Sequence, residues 1–91
     1  MPYFVVTYAY SADTARRDEV RPAHRDFLGT VGSLVLSGPT DDDGAVLIFE
    51  DADAAAVEAT LDADPFVAEG LVEQRTVRGW TPVKGRLLDA L

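Results

Sequence analysis

His24 is the only histidine in the chain, and the chain has no cysteine. Imidazole is the one side chain whose unperturbed titration lies near neutral pH, so its chemistry would be proton transfer. Asp64 is the best candidate partner for it. An aspartate that orients an imidazole and favours its protonated form is a common acid–base arrangement. Each residue also has a plainer reading. A lone histidine on an apolar helix face commonly serves as a hydrogen-bonded core residue. Asp64, just before Pro65, is explained as a helix N-cap. Arg21, beside the histidine, either grips a substrate carboxylate in bidentate fashion or is a surface group.

Other chemistry finds little footing. The acidic run Asp41–Asp42–Asp43 lacks the spaced ligands and closing glutamate of a calcium loop and reads as a solvated turn. No phosphate loop, dinucleotide fingerprint, nucleophile elbow or zinc motif occurs. Without cysteine there are no disulfides and no thiolate catalysis, and a single histidine makes a transition-metal site improbable. No metal and no cofactor is therefore expected.

The elements that must position these groups can be read from pattern. YFVVTYAY, residues 3–10, is aromatic and β-branched, with Phe4, Val6 and Tyr8 on one face and Tyr3, Val5, Thr7 and Ala9 on the other. Ser11 and Asp13 cap a first helical turn or two over residues 14–19. Pro22 suits the first position of a second, main helix over residues 22–31, with Gly32 as its stop. His24, Phe27, Leu28 and Val31 then form one stripe that turns the histidine toward the sheet. LVLSG (34–38) reads as a short buried strand, PTDDDG (39–44) as a turn, and AVLIFE (45–50) as the returning strand.

Asp51 or Asp53 caps the next helix, 54–63, with Val57 and Leu61 on one face. Asp64, Pro65 and Gly70 are the cap, first residue and stop of a short helical turn. The last strand runs over 71–81 and Pro82 ends it. Residues 1–82 thus make one domain, and 83–91 a tail, read as a short amphipathic helix. The order βαββαβ is ferredoxin-like α+β: a four-stranded antiparallel sheet with the helices on one face. The other face needs a cover, and the apolar second side of the first strand points to a homodimer with sheets facing each other.

A 91-residue chain buries only about 60–65% of its unfolded surface, so oligomerisation is a natural supplement. A formal charge of −8 repels phosphate backbones and argues against nucleic acid. No apolar run approaches the length of a membrane span, so a cytoplasmic protein is expected.

The chain resembles the YciI-like (YCII-related) family of small α+β proteins. The matching residues are RPAH (21–24), SGP (37–39), LIFE (47–50) and ADPFVAEG (63–70), with Val77 and Trp80. They span about residues 2–82. The resemblance implies the dimeric α+β barrel superfamily and an active-site pair falling on His24 and Asp64. Related barrels include isomerases, dehalogenating lyases and monooxygenases acting on small, often cyclic, organic molecules.

The leading expectation is therefore a cofactor-free acid–base enzyme of lyase, isomerase or dehalogenase type. His24 would shuttle a proton, Asp64 would orient it, and Arg21 would hold an anionic group of a small-molecule ligand. The pocket is expected between helices and sheet, beside Gly38 and Pro39. The rival is a non-catalytic dimeric module that binds a metabolite or assists another enzyme, with His24 shut away from any pocket. A purely structural dimer would have no pocket at all.

Overall fold

The computed structural model describes residues Met1–Leu91. In chain order it contains β1 (Tyr3–Tyr10), α1 (Thr14–Gly29), β2 (Leu34–Thr40), β3 (Gly44–Glu50), α2 (Ala54–Asp62), the one-turn α3 (Pro65–Ala68) and β4 (Val72–Trp80). The four strands form one antiparallel sheet in the order β2-β3-β1-β4. This is the ferredoxin-like βαββαβ arrangement. No helix is long and apolar enough to cross a membrane.

Alternation in β1 decides the layering. Phe4, Val6 and Tyr8 are buried on the helix side, and Val6 pairs with Leu47 of β3 and Val77 of β4. Ala45, Leu47 and Phe49 continue this layer, and Val57 and Leu61 of α2 close it from above. Each such side chain fully withdrawn from water stabilises the fold by about 1.5–3 kcal/mol. A second cluster, Val20 with Phe66 and Leu71, ties α1 to α3.

The opposite face carries no helix. Tyr3 and Val5 of β1 and Val46 and Ile48 of β3 stay half-buried there, and Leu36 and Trp80 are exposed. The register places Val5 beside Ile48 and Thr7 beside Val46. The hydroxyls of Thr7 and Thr76 contact each other across β1 and β4.

Several expectations change. Pro22 does not start a second helix; it lies inside one continuous α1 that Asp13 caps through the Arg16 N–H at 3.1 Å. An interior proline costs about 3 kcal/mol. Arg17, Val20 and His24 are buried on one face on both sides of it, and that packing keeps the two halves in line. The helix ends at Gly29 with Thr30 as its cap, rather than running through Val31 to Gly32. The Thr30 hydroxyl donates to the Phe27 carbonyl at 2.7 Å.

β2 is neither short nor buried. It extends to Thr40, stands at the sheet edge, and leaves Leu36 66% exposed. A run of apolar residues cannot by itself distinguish a covered strand from an edge. Gly38 and Pro39 accordingly belong to the strand, and the turn shrinks to residues 41–43. Asp53, not Asp51, caps α2, its carboxylate accepting from the Ala56 N–H at 2.8 Å. In place of an amphipathic tail helix there is one 3-10 turn, Leu88–Ala90, with Leu87, Leu88 and Leu91 exposed.

The β2–β3 turn is fastened to the body of the domain. Asp43 adopts a left-handed backbone, φ 58°, and its carbonyl accepts from the Tyr10 N–H at 2.9 Å. Its carboxylate accepts from the buried Arg17 guanidinium at 3.2 Å. Gly44 must be glycine, since a Cβ there would stand 2.4 Å from the Tyr8 carbonyl oxygen.

Candidate active site

Asp64 owes its place to local rules. α2 stops at Asp62, and Pro65 opens α3 with a fixed φ and no N–H to lose. Asp64 therefore becomes the N-cap, its Oδ1 accepting from the Phe66 N–H at 3.0 Å. The same oxygen lies 2.7 Å from Nδ1 of His24, and Oδ2 accepts from the Tyr8 hydroxyl at 3.0 Å. Asp64 has no solvent exposure. A buried carboxylate is tolerable only when its lone pairs are met, and three groups meet them here.

This arrangement fixes a direction for the imidazole. A carboxylate only accepts, so a neutral His24 carries its proton on Nδ1 and presents Nε2 as the basic nitrogen. Tyr8 reinforces it. Burial, and then the charge of Asp64 and the hydrogen bond to it, push the phenol well above its ordinary range, so Tyr8 stays a donor. Nε2 has no protein partner and is not among the buried, unsatisfied atoms. It opens to solvent although His24 is only 9% exposed.

Aromatic contacts hold the ring. Phe66 stacks on His24 with centroids 3.9 Å apart and planes 9° from parallel. Tyr10 meets Phe66 edge-on at 5.4 Å, and the Arg17 guanidinium sits 4.6 Å over the Tyr10 ring. Burial first, then the charge of Asp64, also raises the Tyr10 phenol.

Nε2 opens toward a pocket of about 220 Å³ between α1 and the β2–β3 edge. Arg21, His24, Arg25 and Leu28 form its helical wall at i, i+3, i+4 and i+7. Ser37, Gly38 and Pro39 of β2 form the facing wall, and Ala45 and Leu47 lie beneath, with Tyr10 and Phe66 at one end. His24, Arg21, Gly38 and Pro39 thus share one cavity. Asp64 stands behind the imidazole and does not line it. Arg21 is engaged elsewhere, its Nη1 donating to Asp18 at 2.5 Å.

Sequence reasoning missed Tyr8, Tyr10, Arg25, Ser37 and Phe66. Tyr8 reads as core by alternation, and nothing local reveals that its hydroxyl reaches Asp64. Arg25 was detectable, since it lies one turn beyond Arg21 on the face that carries His24. A module with its histidine shut away, and a structural dimer without a cavity, both sit poorly with this geometry.

Fold and geometry together define a ferredoxin-like α+β domain with a histidine–aspartate pair at the side of a small pocket. The chain belongs to the YCII-related domain family, whose model matches residues 1–81. No curated protein matches it. Among solved structures it is similar to 5-chloro-2-hydroxyhydroquinone dehydrochlorinase from Burkholderia phenoliruptrix, in complex with 2,5-dihydroxybenzoquinone. The identity is 23%, with 87% of this chain and 93% of that one covered and a TM-score of 0.79. It is also similar to an antibiotic biosynthesis monooxygenase, at 16% identity, 92% and 100% coverage and a TM-score of 0.58. A cofactor-independent oxygenase from Streptomyces nogalater aligns at 16% identity, 92% and 94% coverage and a TM-score of 0.51. At these identities the likeness is one of fold.

Proposed function

We propose that this protein is a cofactor-free acid–base enzyme acting on a small organic molecule, with His24 as the catalytic base and Asp64 as its orienting partner. The observation that carries the reading is the split use of one imidazole. Nδ1 is held by Asp64 at 2.7 Å, and Nε2 has no partner and opens to the pocket. Nε2 takes a proton from a carbon next to a carbonyl or, in a polyhydroxylated ring, from an enolic O–H. The electron pair of the broken bond passes into the enolate, which then either expels a halide from a saturated carbon of the keto tautomer or is reprotonated by His24 on carbon. The dehydrochlorinase of like fold supports the eliminating variant as the first to test.

The working unit in this reading is a homodimer joined through the helix-free sheet faces. The apolar patch of Tyr3, Val5, Val46, Ile48 and Leu36 supports it. General acid–base groups contribute about 10²–10⁴-fold to rate. With chlorinated hydroxyhydroquinones as the first substrates offered, His24→Ala is expected to lose at least about a hundredfold in kcat. Asp64→Asn keeps the cap but no longer offers His24 an acceptor-only carboxylate, so it too should lose about a hundredfold or more. Turnover unchanged in both variants would refute the assignment.

A further inference from the structure

The chain carries sixteen acidic against eight basic residues, yet no residue lining the pocket is acidic and three are Arg21, His24 and Arg25. The two arginines differ. Arg21 is ion-paired with Asp18 at 2.5 Å, whereas Arg25 has no hydrogen bond and no carboxylate partner. The remaining acid beside the pocket, Asp64, faces Nδ1 of His24 and lies behind the ring. The pocket that His24, nine-tenths buried, shares with Arg25 and Ser37 thus holds one uncompensated guanidinium.

We infer that the pocket takes a single-ring organic anion whose charged oxygens are held by Arg25, so that Arg25, rather than Arg21, determines specificity. This deepens the acid–base reading and rests on it for the placement of the ring against Nε2. The size of the pocket sets the one-ring limit, since about 220 Å³ is below the roughly 300–1,000 Å³ of sites for drug-sized ligands. Charge sets the rest. An anion placed there meets a planar fork with donors to spare, and a neutral isostere of the same shape leaves that cation without a partner.

The sole histidine makes the test direct, because its ring-proton resonances have one origin. Benzoate and its neutral isostere benzamide are titrated into the protein, followed at His24 by NMR. Benzoate is expected to give a saturable shift and to bind up to about fivefold more tightly than benzamide, the size of one solvent-exposed ion pair. Arg25→Gln should abolish that preference, Arg25→Lys should restore part of it, and Arg21→Gln should cost less than Arg25→Gln. Arg25 is exposed and makes no contact that folding needs, and circular dichroism of each variant checks this. Equal binding of the two probes, an Arg25→Gln variant that keeps the preference, an Arg21→Gln loss as large, or no shift at tens of millimolar benzoate would each overturn the inference. Binding is read without turnover, so His24 and Asp64 variants with unchanged turnover would sink the chemistry and leave this result standing.

Discussion

Removing one oxygen from Tyr8 should produce a stability difference that vanishes with rising pH. Tyr8→Phe deletes the hydroxyl that donates to Asp64 Oδ2 at 3.0 Å, while the His24 and Phe66 contacts to Oδ1 remain. A hydrogen bond to a charged acceptor is worth about 1.5–3 kcal/mol. The lower end applies because two other donors still hold the carboxylate. At neutral pH the variant should then melt about 6–12 °C below the parent, at about 4–8 °C per kcal/mol for a domain of this size.

The sign of the pH effect follows from the raised Tyr8 phenol. Below about pH 10 it is protonated in both the folded and unfolded chain, and the stability it lends is fully present. Above that, the unfolded chain gains charge while the folded chain stays neutral. The parent then loses about 1.4 kcal/mol of stability per pH unit through this one residue. Phenylalanine has nothing to ionise, so a gap of about 1.5 kcal/mol at neutral pH closes near about pH 11. Tyr10, also raised, acts equally in both proteins. Urea unfolding followed by far-ultraviolet circular dichroism, at one protein concentration across this range, measures the gap. Two curves that fall in parallel above pH 10 would refute the reasoning.

Three further outcomes are expected. Gly44→Ala should destabilise by about 2 kcal/mol or more in thermal unfolding, since its Cβ would meet the Tyr8 carbonyl and the Thr40 hydroxyl. Gly38→Ala, with no atom within 4 Å of a new Cβ, should be nearly neutral. Ile48→Asp, in the middle of the helix-free face, should convert a dimer to a monomer in sedimentation without loss of secondary structure. A parent that sediments as a monomer at micromolar concentration would overturn the dimer proposal.

The sequence is most informative where one local rule acts alone. Period-two alternation in residues 3–10 identifies the buried face of β1, and the Asp64–Pro65 pair states its own capping geometry. Misreadings arise where a distant contact outweighs a local preference. Pro22 is a proper helix starter by propensity, and only the burial of Arg17, Val20 and His24 along one face makes it interior. Leu34 to Leu36 look like core until strand order puts them at the margin. The site divides in the same way. His24 and Asp64 stand out by type and position, but the approach of Tyr8 to Asp64 depends on packing between segments far apart in the chain.

The margin of the sheet has a consequence of its own. A free strand edge invites another strand to join it, and growth in that direction has no natural end. β2 resists this twice: Pro39 has no N–H to offer, and the register slips between Leu34 and Leu36, so the backbone groups are unevenly spaced. A newcomer laid alongside would meet a gap and a kink within one strand length. Growth of a ribbon through this edge is thereby hindered, whereas the broad-face contact of the proposed homodimer would be closed by a two-fold axis after a single partner.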